Sequence, residues 1–206
     1  MYEYFFILPI VLALLLGSMS PGPSFLIVAQ SAMSKSRSEA IAISFGMGTG
    51  AAIFALLACI GLYVVIENVP WLYALLKVAG GLYLCYLAYK IWKSSKIQNE
   101  EHIENNNTHG IFKSFLLGLV TQISNPKTAI VFGGVFAAFL PAVVPEYSYV
   151  LLCISSFIVD TAWYVLVAVV LSTQKAQGAY IRHKKKIITL FSGFMGLMGL
   201  KLATNI

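Results

Sequence analysis

"SMSPGPSF", residues 18–25, lies in the middle of the first long apolar run of this chain. Proline removes a backbone donor and pushes the residue before it out of the helical region, so Pro21-Gly22-Pro23 must interrupt any helix built on that run. Apolar sequence nevertheless continues on both sides, near Tyr4–Met33, a length of chain that spans a bilayer if it is helical. In hydrocarbon, backbone groups freed by a break are tolerated only where protein or a water-lined cavity satisfies them. The break therefore predicts a cavity at membrane depth.

Composition agrees with a membrane protein. Of 206 residues, 59% are hydrophobic and only 11% charged, against about 25% charged in soluble domains. Five further apolar runs follow, near Ala40–Ile66, Trp71–Trp92, Ile111–Leu140, Tyr147–Leu171 and Ile187–Leu202. Trp71, Tyr73, Trp92 and Tyr147 sit near their ends, where interfacial aromatic belts form. "MYEYFF" at the start carries no basic n-region, so the first run is expected to be a retained span and not a signal peptide.

Charge placement sets the expected orientation. Lys35 and Arg37 fill the first connector, Lys93 and Lys96 the third, and Lys175, Arg182, Lys184, Lys185 and Lys186 the fifth. The second and fourth hold only Glu67 and Glu146. This alternation is the positive-inside pattern for six spans with both termini on the non-cytoplasmic side. The net charge of +6 then records orientation among membrane lipids and implies no nucleic acid.

The break has a partner. "GSMSPGPSFLIV" (17–28) aligns with "TQISNPKTAIVF" (121–132) at an offset of 104, and "GGLYLCYLAYKI" (80–91) with "FSGFMGLMGLKL" (191–202) at an offset of 111. Each half then contributes three spans, 1–92 and 111–206, joined by the polar connector 93–110. An odd number of spans per half inverts the second copy in the membrane, as in many secondary transporters. The expected fold is thus an all-α polytopic membrane protein of six transmembrane helices in two inverted three-helix repeats, with the first and fourth helices broken.

Paired interruptions in corresponding spans point to a midplane site. Half-helices starting near Ser24 and Thr128 would turn N–H groups and a partial positive charge toward a substrate carboxylate. The opposite ends, at Ser20 and Ser124, would present carbonyls to an ammonium. Two charges lie deep in spans: Lys127, directly after Asn125-Pro126, and Asp160. Intramembrane charges are costly and mark function or a pair. Lys127 is read as an anchor for carboxylate and Asp160 as a proton or ammonium acceptor, with a plain Lys127–Asp160 salt bridge as the alternative. Trp163 and Tyr164, three and four residues on from Asp160, are candidate cavity walls or packing residues. Gly46 and Gly50 form a small-xxx-small seam that packs helices within one subunit or between copies, so a homo-oligomer stays open.

Cys59, Cys85 and Cys153 stand singly in apolar runs, and His102, His109 and His183 fall in connectors. No metal, cofactor or catalytic constellation is expected, and the chain does not read as an enzyme.

"SPGPSFLIV", a basic connector, a Gly-rich second span, "GGLYLCYLAYK" and "GLVTQISNPKTAIVF" together resemble the LysE/RhtB family of amino-acid exporters over essentially the whole chain. The resemblance implies a cytoplasmic-membrane carrier that expels amino acids or close derivatives, generally in exchange for protons. Its characteristic positions here are Pro21, Gly22, Pro23, Asn125, Pro126 and Lys127. Many members carry Asp or Asn directly after Pro-Gly-Pro, whereas this chain has Ser24, which favours a small neutral substrate over a basic one. A metal-cation exporter of a related family and a non-transporting membrane scaffold are the competing readings.

Overall fold

A computed structural model describes residues 4–19, 22–34, 36–68, 110–141, 144–145 and 147–204, with scattered positions between 75 and 93. Those residues are helical with short connections, and no strand occurs among them. The first apolar run forms α1 (Ile7–Met19) and α2 (Pro23–Ser34), whose axes are bent by 57° at the break. The second forms α3 (Arg37–Asn68). The fourth divides into α4 (Ile111–Ile123) and α5 (Pro126–Phe139), the fifth is α6 (Ser148–Leu171), and α7 covers Gln174–Thr204. Both expected interruptions are present. Most of the third expected span, Trp71–Trp92, lies outside the described residues.

Local chemistry explains where these helices begin. Pro23 and Pro126 each occupy the first position of a helix, where a missing N–H costs nothing and the fixed φ is already helical. Asn125 caps α5, its side-chain Oδ1 accepting the Lys127 N–H at 3.0 Å. Gly22 takes the corresponding place before α2, its carbonyl accepting the Leu26 N–H at 3.0 Å. One expectation changes. The basic stretch around Arg182–Lys186 belongs to α7 and is not a connector, because Gln, Lys, Arg and Ala are good helix formers however polar they are.

Among the described residues, α3 and α6 are each long and apolar enough to cross a membrane, and α1 with α2 passes the same test as one bent span. Their faces are segregated accordingly. On α6, Val150, Ile154 and Ile158 are exposed, whereas Leu152, Ser156, Asp160 and Tyr164 face inward at four-residue spacing. The apolar outer face and polar inner face are those of a membrane protein.

α3 is the centre of the bundle, packed between α4 and α6. In lipid, helix association depends on close packing rather than on burying apolar surface from water, and small residues permit it. A Cβ on Gly46 would strike the Phe115 carbonyl, one on Gly118 the Ile43 carbonyl, and one on Gly50 would stand 2.8 Å from Gln122 Cβ. Gly48, on the opposite face, would meet Thr161 of α6. The "FGMGTG" seam thus packs within the chain. Two apolar clusters result: Ile10, Leu14, Cys59, Val135, Phe136 and Leu152 in one, and Phe25, Val28, Ile43, Met47 and Tyr164 in the other.

Candidate functional site

The two helix breaks meet between those clusters. Asn125 Nδ2, at the second break, donates to Ser24 Oγ, at the first, over 2.9 Å. Ser24 in turn donates to Gln122 Oε1 at 2.8 Å, and Gln122 Nε2 donates to Asp160 Oδ2 at 2.6 Å. The other carboxylate oxygen, Oδ1, accepts from Ser18 Oγ. Thr128 Oγ1 lies 3.5 Å from Gln122 Oε1. Five helices, α1, α2, α4, α5 and α6, therefore contribute to one buried polar network.

The network borders a cavity of about 20 Å³, room for roughly one water. Gly22, Ser24, Asn125, Lys127, Thr128 and Tyr164 of the expected site line it, closed in by Leu14, Phe25, Val131 and Phe132. Lys127 reaches across from the second break to the first: its Nζ lies 3.3 Å from where a Gly22 Cβ would stand. A side chain at position 22 would press on that of Lys127. Lys127 and Asp160 are near enough to act on each other electrostatically. Ser24 also lies beside the Tyr164 hydroxyl.

Other expected residues are placed differently. Pro23 and Pro126 are exposed and start helices without lining the cavity. Trp163 is half-buried and packs on the Phe25–Tyr164 cluster, away from the cavity lining. Ser20 and Pro21 lie outside the described residues. At the second break the Lys127 N–H is taken by Asn125, so the start of α5 is partly capped by its own side chain.

Gln122 and Ser18 escaped the reading of the sequence as site residues. The signal was nevertheless there: at the repeat offset of 104, Ser18 aligns with Gln122. Each is the second-last residue of its half-helix, and each binds one oxygen of Asp160. A hydroxyl and an amide, each one residue from a helix end, satisfy a buried carboxylate that would otherwise be costly at this depth.

Comparison with known proteins identifies the family. The family model for the LysE type translocator matches residues 15–206. A threonine efflux protein of Salmonella typhi is 35% identical over 189 residues, covering 85% of this chain and 88% of that protein. The threonine efflux protein of Escherichia coli K12 is 33% identical over 199 residues, 91% of this chain and 94% of its own length. An uncharacterized membrane protein of Haemophilus influenzae is 28% identical over 184 residues, 87% of each. No solved structure matches. The match runs across both helix breaks and Asp160, and the chain belongs to the LysE type translocator family, a family of translocators and not of enzymes.

Proposed function

We propose that this protein exports small neutral amino acids, threonine foremost, from the cytoplasm by proton antiport. The observation that carries the reading is the Asn125–Ser24 bond, which joins the two helix breaks in one network with Asp160. The substrate carboxylate is held by Lys127, with Gly22, Ser24, Asn125 and Thr128 around the α-carbon, and Asp160, behind Ser18 and Gln122, supplies the counter-charge for the ammonium. Pro23 and Pro126 start the two half-helices beside this site. A proton on Asp160 removes the ammonium's counter-charge, so protonation and substrate binding oppose each other.

Threonine efflux in relatives over most of the chain supports the substrate. Ser24 supports it as well, because an uncharged hydroxyl stands where an acid would favour a basic side chain. A cavity of about 20 Å³ is too small for an amino acid, so transport requires it to widen.

The architecture proposed for this cycle is two inverted three-helix repeats, 1–92 and 111–206, rocking about the midplane, with the 93–110 connector on the cytoplasmic side and both termini outside. Two contacts support it. Gly110, at the end of the connector, donates its N–H to Glu39 Oε1 at 3.1 Å, which puts the starts of α3 and α4 at one end of the bundle. Cys85 and Gly196, equivalent at the 111-residue offset, touch each other, Sγ to carbonyl at 3.7 Å. Equivalent positions meet when two helices cross at a pseudo-two-fold axis.

Counterflow in proteoliposomes, with unlabelled amino acid inside and labelled outside, tests the function. Threonine and serine are expected to exchange and lysine to exchange poorly. Absence of exchange for every amino acid would favour a scaffold, and metal-dependent flux alone would favour a cation exporter.

A further inference from the structure

The hydrogen bonds of the buried network all run in one direction. Asn125 donates to Ser24, Ser24 to Gln122, and Gln122 to Asp160, where the chain ends on an acceptor. Ser18 donates to the other oxygen from α1. Two donors, one on each oxygen, suit the ionised carboxylate, whereas a protonated one carries a donor of its own. Gln122, like Asn125, carries a donor at one end of its side chain and an acceptor at the other, and it is the amide of the chain that meets Asp160. It stands between Asp160 and the residues at the two helix breaks.

We propose that Gln122 is the coupling residue of the carrier: its amide turns over when Asp160 gains a proton and so reports that proton to Ser24 at the substrate cavity. This rests on the proton-coupled reading of Asp160. The proton arrives from water and bonds to Oδ2, which then faces the Gln122 NH2 group as donor against donor. Rotation of the amide by half a turn relieves the conflict. Gln122 Oε1 now accepts the Asp160 O–H, and Nε2 faces Ser24 and Thr128. No covalent bond changes beyond the added O–H, and the proton later returns to water from the same oxygen.

Ser24 can follow, because a hydroxyl oxygen accepts two bonds. It takes one from Asn125 and one from the turned Gln122, and its own proton swings away into the cavity. One protonation therefore changes both sides of the site together. The counter-charge for an ammonium disappears at Asp160, and a donor appears at Ser24. Such a relay would couple the proton to the substrate without requiring the two to touch.

Among the described residues, the titratable groups acting on Asp160 are Lys127, from α5, and Tyr164, on α6 itself. α1 and α4 bring Ser18 and Gln122 to it, and α2 brings Ser24 to Gln122; none of these titrates near neutrality. The acid in the first turn of α3, Glu39, is engaged at the far end with Gly110.

Infrared difference spectra of the full-length protein in lipid, labelled with side-chain ¹³C-glutamine and cycled between acid and alkaline pH, test the relay. A carboxylic-acid band from Asp160 and a shifted glutamine carbonyl band should titrate together. Asp160→Asn should lose both, and Gln122→Met should lose the glutamine band while keeping the acid band. An Asp160 band that titrates with no change in any glutamine carbonyl would overturn the relay and leave proton binding at Asp160 standing. Absence of any Asp160 band where transport responds to pH would overturn both. The wild-type and Asp160→Asn spectra decide the question even if Gln122→Met does not fold.

Discussion

Asn125 Nδ2 lies 2.9 Å from Ser24 Oγ, across 101 positions of sequence and between two helices that each begin on a proline. Asn125 serves both breaks at once, since its Oδ1 caps α5 while its Nδ2 binds Ser24. The two interruptions are thus parts of one structure.

Asn125→Ala should remove both bonds. Loss of the cap costs about 1 kcal/mol, and the network loses its donor to Ser24. A lower melting temperature of the detergent-solubilised protein and a reduced counterflow rate are the expected results. Unchanged stability and unchanged flux would show that the junction is incidental.

Ser24→Asp tests substrate choice. A second acid beside Gln122 should favour a cationic side chain, shifting the lysine-to-threonine counterflow ratio upward by about tenfold, equivalent to about 1.4 kcal/mol. An unaltered ratio would place selectivity elsewhere.

Lys127→Met should weaken recognition of the substrate carboxylate. A charge-assisted bond of about 1.5–3 kcal/mol corresponds to roughly a tenfold or greater rise in the substrate concentration needed for half-maximal exchange. Threonine amide, which lacks the carboxylate, should compete equally well against wild type and variant. Equal losses for both compounds would make Lys127 a structural cation.

Gly118→Val should separate α3 from α4, because a Cβ there meets the Ile43 carbonyl. Backbone at this contact cannot give way as a flexible side chain would, and overpacking costs about 1–3 kcal/mol. Aggregation or loss of the monodisperse species on size-exclusion chromatography is expected. Gly133→Ala, at a glycine with open space around it, is the control and should behave as wild type.

Much of this was legible in the sequence, for reasons that differ by residue. Pro23 and Pro126 announced the breaks because proline constrains backbone in any context. Asp160 and Lys127 were visible because charge is rare and expensive at that depth. Ser18 and Gln122 were not singled out, since uncharged polar residues near a helix end are ordinary until a partner is known. Trp163 and Tyr164 looked equivalent as neighbours of Asp160. Only Tyr164, a full four residues on, lines the cavity, whereas Trp163 leans onto the Phe25 cluster. The extent of α7 was hidden because its first turns are helical by propensity and not by hydropathy.

The most direct test of proton-coupled export is threonine accumulation in proteoliposomes under an imposed acid-inside pH gradient. The account predicts that wild-type protein concentrates threonine above the external level, that an uncoupler collapses this, and that Asp160→Asn exchanges threonine without concentrating it. Accumulation by Asp160→Asn that still follows the gradient, or wild-type flux indifferent to it, would contradict the account.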